Sequence, residues 1–285
     1  MRSDGGWRSR VFSVVIGSVS RGLMARDVLL GRTQRFRRNE LGERFFFTSG
    51  ERRLAGVWAA AGEGAPAILL CHGIGETVWH WSAVQGFLRE RGVASMAFNY
   101  SGYGESSGRI CSEHCDEDFV AAYAELRRRV GPQARVSVLG FSLGSGIAAN
   151  GVGSLTPAPD GLFLCESFPS FREAVQAVGV PRLVARAFPD IWRTEDAVKS
   201  LRMPVCVVHS DGDRLFPVKM GRKIAGACGG ELVIVAGLSH NQPYLKPTEA
   251  YWGAIVARAI GGTEGRQSAA ALARAWAAAR FAPSS

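Results

Sequence analysis

The stretch "VSVLGFSLGSG", Val136 to Gly146, decides how the chain is read. Apolar residues of strand type run into Gly140-Phe141-Ser142-Leu143-Gly144, and glycine weakens strand and helix interiors alike. A serine between two glycines at the end of a buried strand fits a sharp strand-to-helix turn. The glycines there remove side chains that would collide across the turn, and the serine takes a strained conformation that exposes its oxygen. The next helix begins beside it, and its free amide groups favour negative charge. An ordinary glycine-rich turn uses the same residue types, so the reading depends on what else the chain carries.

From residue 44 onward, short apolar runs alternate with longer amphipathic ones, the pattern of a sheet with helices on its faces. The runs predict strands near 44–48, 53–60, 67–71, 94–99, 135–139, 161–165, 204–209 and 231–236. Helices are predicted near 80–91, 114–130, 143–152, 170–178, 218–227 and 247–260. Uninterrupted Val, Leu and Ile in the central strands imply burial on both faces. Two strands end in further chemistry: "VCVVHSDGD" runs into an acidic turn with Asp211 and Asp213, and "LVIVAGLSHNQP" leads to His240. In a parallel sheet both ends lie on the edge that carries Ser142. A serine alcohol needs a base to take its proton, and the base needs an acid to orient it and stabilise its cation. The chain order serine, aspartate, histidine supplies all three.

These residues resemble the serine hydrolases of the α/β-hydrolase superfamily over roughly residues 44–262. "LLCHGIGE" is similar to the family's His-Gly oxyanion loop, "FNYSGYGESSG" to its glycine-rich turn, "GFSLG" to the nucleophile elbow, "HSDGDRLFP" to the acid turn and "GLSHN" to the histidine loop. The small-lidded branch of bacterial carboxylesterases and relatives of monoacylglycerol lipase and protein depalmitoylases is the most similar. The resemblance implies an α/β-hydrolase fold: a mostly parallel eight-stranded sheet flanked by helices, with a short lid over about 167–203. It implies Ser142 as nucleophile and His240 as base. The pattern H-G-x-x-D selects Asp213 as the acid, with Asp211 as the alternative. It implies backbone amides of Ile74 and Leu143 as oxyanion donors, and His72 as a residue holding the loop's shape. No cofactor and no metal are implied. Asn99, where these enzymes often carry Asp, and Ser210, in place of a usual Gly, depart from the pattern.

The implied partner is a small-molecule acyl ester, with lipid-like esters and thioesters included. Apolar lid residues, Phe168 and Phe171 among them, and Trp79 after the oxyanion loop are candidates to line an acyl pocket. Aromatic residues at such spacing also serve as core. A peptidase or amidase of the same fold, and a catalytically silent binding module, remain alternatives. No histidine has Asp five residues on, which an acyltransferase of this fold would carry, and the elbow has Ser142 where dehalogenases and epoxide hydrolases carry Asp.

Composition bounds the rest. The 285 residues are 47% hydrophobic and 21% charged, ordinary for a globular chain with a large core. Residues 1–40 hold nine arginines against Asp4, Asp27 and Glu40, so +6 of the formal +9 sits in an amino-terminal arm, read here as residues 1–43. No nucleic-acid module accompanies it, and no nucleic-acid partner is expected. If Val11 to Leu30 is helical, Val11, Phe12, Val15, Ile16, Val19, Leu23, Leu29 and Leu30 share a side, which suits either packing on the core or weak contact with an anionic membrane. Arg21 interrupts the run well short of the ~20 apolar residues of a membrane span. Cys71, Cys165 and Cys206 fall in apolar runs and read as buried hydrophobes, pointing to a cytoplasmic location, peripheral to the inner membrane if the arm binds lipid. Residues 263–285 read as a frayed helix or tail.

Overall fold

Eight strands form one sheet: β1 (Glu43–Ser49), β2 (Arg52–Ala59), β3 (Ala67–Cys71), β4 (Ala94–Phe98), β5 (Val136–Phe141), β6 (Gly161–Cys165), β7 (Val205–Ser210) and β8 (Glu231–Val235). Their spatial order is β1-β2-β4-β3-β5-β6-β7-β8. The β1–β2 and β2–β4 pairs are antiparallel, and every pair from β4–β3 to β7–β8 is parallel. This computed structural model describes residues 4–29 and 42–261 of the chain. The expected carboxy-terminal tail therefore lies outside the described residues.

The parallel strands β3, β5, β6 and β7 are buried along their whole length, as their Val, Leu, Ile and Phe content requires when helices cover both faces. On one face lie α2 (Ser82–Glu90) and α10 (Glu249–Ile260), whose Val84, Leu88, Trp252 and Ile255 pack on Ile68, Leu70 and Phe141. On the other lie α3 (Ser112–Val130), α4 (Leu143–Gly151) and α8 (Lys219–Cys228), through Phe119, Ile147 and Ile224. A 3-10 turn, Val78–Trp81, leads into α2, so the predicted helix at 80–91 starts as the tighter form. The segment between β6 and β7, read above as the lid, contains α5 (Phe171–Ala177), α6 (Arg182–Ala185) and α7 (Thr194–Ala197), and α9 (Gln242–Leu245) follows the histidine loop. The last three are too short for periodicity to announce them.

The amino-terminal segment forms α1 (Asp4–Leu29), and it packs on the lid. Phe12 is fully buried, with its ring 5.3 Å from that of Phe171 and 5.2 Å from that of Trp192. Ile16 is buried one turn later, and Ser20 Oγ shares a hydrogen bond of 2.8 Å with the Tyr103 hydroxyl. The expected apolar side is thus split. Phe12 and Ile16, with Ser20 a turn further on, enter a narrow seam, while Val15, Val19 and Leu23 of the expected side are exposed, as is Val14 beside them. No helix among the described residues is long and apolar enough to cross a membrane.

Candidate active site

The elbow explains its own glycines. Ser142 has φ 51° and ψ −118°, a strained conformation for a residue with a side chain. A Cβ on Gly140 would stand 2.5 Å from the Gly144 carbonyl and the Ser145 Cα, and one on Gly144 would run into the Cys71 and His72 carbonyls of the next strand. The Ser142 amide donates to the Cys165 carbonyl at 3.0 Å, and Ser145 Oγ donates back to the Ser142 carbonyl at 2.6 Å. The tight turn places Ser142 at the carboxyl edge of the sheet, with Leu143 as the first residue of α4.

Strands β7 and β8 bring the other two side chains to that edge. His240 Nε2 lies 2.9 Å from Ser142 Oγ, and His240 Nδ1 lies 2.7 Å from Asp213 Oδ2. With Asp213 ionised, Nδ1 carries the hydrogen and Nε2 is the free acceptor for the serine proton. Phe216 meets the imidazole edge-on at 5.2 Å, and Phe141 lies tilted against it at 5.4 Å, so its plane is set by packing as well. Asp213 Oδ1 accepts the Leu215 amide at 2.7 Å and the Phe216 amide at 3.0 Å. Burial pushes the Asp213 carboxyl up, but the hydrogen bond and charge of His240, with the Glu166 and Phe216 contacts, outweigh it and hold the group below its ordinary value.

Of the two aspartates left open by the sequence, Asp213 faces the histidine, and Asp211 accepts the Gly237 amide at 2.7 Å. Ser210, the departure from the family glycine, donates its hydroxyl to the Leu238 carbonyl at 2.7 Å and accepts the Leu238 amide at 2.9 Å. It stitches the acid turn to the histidine loop. Asn99, the other departure, accepts the Val78 amide at 2.8 Å and anchors the entry to α2.

The loop after β3 presses directly on the serine: a Cβ on Gly73 would lie 3.1 Å from Ser142 Cβ. Ile74, half-buried, follows it. His72 donates Nδ1–H to the Gly73 carbonyl at 2.8 Å and stands edge-on to Tyr100 and Tyr103. Its burial, with His80 nearby, lowers its pKa to about 4, so it is a neutral structural group at physiological pH. Two acids that sequence reasoning passed over also flank the site. Glu76 Oε2 accepts the Gly73 amide at 2.9 Å and the Trp81 indole at 3.0 Å, and its Oε1 would be 2.6 Å from that same Gly73 Cβ. Burial raises its pKa to about 8 despite those two donors. Glu166 directly follows β6, beside the acid turn. Each sits next to a recognisable motif, "CHGIG" and "LFLC", which is the signal available to find it.

The proposed pocket residues are spread more widely. Phe168 is buried against Phe216, one ring removed from His240. Phe171 is buried among Phe12, Phe188 and Trp192 of the lid seam, and Trp79 is buried with the Arg44 guanidinium 4.8 Å above its ring. Among the described residues, Glu166, Asp213 and His240 form the one cluster of three potential metal-ligating atoms, all within 4.8 Å of each other. Both His240 nitrogens there already face Ser142 and Asp213.

Comparison with known proteins agrees with this architecture. Residues 66–179 match the family model described as alpha/beta hydrolase fold. The chain belongs to the α/β-hydrolase superfamily. Over 77% of its length it superposes on an alpha-beta hydrolase from Vibrio vulnificus with TM-score 0.65 and 21% identity, covering 81% of that chain. The Pyrococcus furiosus esterase Pf2001 superposes over the same share with TM-score 0.63 and 17% identity, covering 92% of the esterase. In sequence, an uncharacterized protein of Mycobacterium tuberculosis is 30% identical over 190 residues, 65% of this chain and 66% of that protein. The lysophosphatidylserine lipase ABHD12 of Danio rerio is 29% identical over 179 residues, 56% of this chain. The matched region spans 46% of that lipase, so the likeness to it concerns about half of its length.

Proposed function

We propose that this α/β hydrolase cleaves carboxylic esters of monoacyl lipids through a covalent acyl-enzyme. The observation that carries the proposal is the single imidazole bridging Ser142 and Asp213 at hydrogen-bond distance on both sides. In the reaction, Ser142 Oγ attacks the ester carbonyl while its proton passes to His240 Nε2, and Asp213 stabilises the imidazolium. The carbonyl oxygen becomes an oxyanion, for which the Leu143 and Ile74 amides are the proposed donors, each worth on the order of 3 kcal/mol of barrier. The tetrahedral adduct collapses by breaking the bond to the alcohol oxygen, which takes the proton from His240. Water then gives a proton to the same nitrogen, attacks the acyl carbon, and releases the carboxylic acid and the serine.

The acyl chain is assigned to the apolar residues of the lid and to Phe168 and Phe216 beside the histidine. The relatives named as lysophosphatidylserine lipases support a single-chain lipid substrate. The outward Val14, Val15 and Val19 of α1 support weak contact with an anionic lipid surface near the lid. The test is a panel of glycerol and lysophospholipid monoesters of graded acyl length, beside thioesters and amides. The expected result is ester cleavage whose kcat/KM rises with each added methylene, by up to roughly 0.8 kcal/mol apiece, until the pocket is filled. Exclusive cleavage of amides would replace the proposal with a peptidase.

A further inference from the structure

Glu166 follows the last residue of β6 on the same sheet edge as Ser142 and Asp213, and it is wholly buried. Its φ of 45° costs a residue with a side chain on the order of 1 kcal/mol or more, so the fold tolerates strain to keep it there. Oε1 accepts the Ser210 amide at 2.9 Å. Oε2 is buried and accepts no hydrogen bond, a carboxylate oxygen of Asp213 lies within 4.8 Å of the Glu166 carboxyl, and His209 Nε2, 3.4 Å away, directs its own hydrogen to the Phe216 carbonyl at 2.7 Å.

The titratable groups around this carboxyl are Asp213 and His209 on the acid turn, His240, Tyr251 of α10 and neighbouring Cys165. Burial keeps His209 neutral, and burial raises the Tyr251 and Cys165 groups so that they too stay neutral. Among the described residues no lysine or arginine pairs with either acid, and two adjacent buried carboxylates disfavour each other's charge, so the pair retains one proton. Hydrogen bonding decides which acid keeps it. Asp213 accepts from Leu215, Phe216 and His240, a fuller set of donors than the Ser210 amide gives Glu166.

We infer that Glu166 is a positioning residue: a neutral carboxylic acid that donates its proton to Asp213 and limits the negative charge facing His240 to one carboxylate. The inference rests on the reading of Ser142, His240 and Asp213 given above. Burial first, and Asp213 second, raise the Glu166 pKa to about 10, in keeping with a group that stays protonated through the neutral range.

The experiment measures the rate at which a fluorophosphonate probe labels Ser142 as a function of pH in the full chain, for wild type, Glu166→Gln and Glu166→Met, with melting temperatures as a check on folding. The glutamine amide replaces the carboxyl hydroxyl as donor to Asp213, so its rate is expected within threefold of wild type. The midpoint of its acid limb should be unmoved. Methionine removes the donor without removing a charge, so the midpoint again stays while the rate falls at least tenfold. A midpoint lowered by about one pH unit or more in either folded variant is the signature of a lost carboxylate, and it would overturn the inference. So would a methionine variant labelled as fast as wild type. Labelling that persists in Ser142→Ala, or fails in wild type, instead overturns the hydrolase reading beneath it.

Discussion

Asp211 accepts the Gly237 amide at 2.7 Å, joining the turn after β7 to the loop that carries His240. The first acid of "HSDGD" therefore has a structural partner, and the second faces the imidazole. Asp213→Asn is expected to lower kcat by ~10⁴-fold, because the amide favours the wrong imidazole tautomer. Asp211→Asn keeps an acceptor for Gly237 and should change kcat by less than about threefold. Asp211→Ala should cost roughly 1 kcal/mol of stability. Steady-state kinetics and chemical denaturation of the three variants check the assignment; a severe loss in Asp211→Asn would transfer the acid role.

Ser142→Ala and His240→Ala should each remove nearly all turnover, and the double variant should be little worse than either, since the groups act as a unit. Circular dichroism should report a folded protein in each case. Appreciable ester hydrolysis by either single variant would exclude the proposed mechanism.

Glu76 sets an expectation for pH. Its carboxyl shares Gly73 as a neighbour with the nucleophile, and its pKa is raised to about 8. Below that pH it is neutral, and above it an anion stands beside the loop proposed to hold the oxyanion. We expect kcat/KM to fall by up to about tenfold per pH unit above pH 8, and Glu76→Gln to flatten that limb. Stability follows the same sign. The folded state holds this proton where the unfolded chain releases it, so the contribution is complete below the ordinary glutamate range and is lost as pH rises towards 8, by about 1 kcal/mol per unit. Thermal melts across pH 5 to 9 should show wild type losing ground to Glu76→Gln.

The arm offers two separable outcomes. Phe12→Ala should cost about 3 kcal/mol or more, since its ring fills a seam with Phe171 and Trp192. Val14→Asp with Val19→Asp changes exposed positions only and should leave the melting temperature within a few degrees. The same pair should abolish co-sedimentation with anionic phospholipid vesicles; binding that survives it would place lipid contact elsewhere.

The sheet was legible because its inner strands are short, largely apolar runs that admit few other fates, and their observed ends lie within two residues of the predicted ones. Ser142, Asp213 and His240 stood out because each is a polar residue at the end of such a run. What periodicity could not supply was direction across a turn. Asp211 and Asp213 are two residues apart with the same chemistry, and only the backbone path decides which meets His240. Glu166 had the right position, one residue past β6, but its significance lies in a strained φ and an unpartnered oxygen, neither of which is written in residue type. In α1 a 3.6-residue period groups Val15 and Val19 with Phe12 and Ile16, yet the seam admits one side chain per turn and leaves the valines outside.

Ser142 is only 3% exposed, although His240 Nε2 stands 2.9 Å from its hydroxyl. If Ser142 is the nucleophile proposed, access to it constrains inhibitor chemistry alongside intrinsic electrophilicity. Warheads carried on a slender, unbranched stem should inactivate the protein, whereas equally reactive groups with bulk next to the electrophilic atom should be turned away. Selectivity over hydrolases with open clefts can then be designed from the width of the reagent alone.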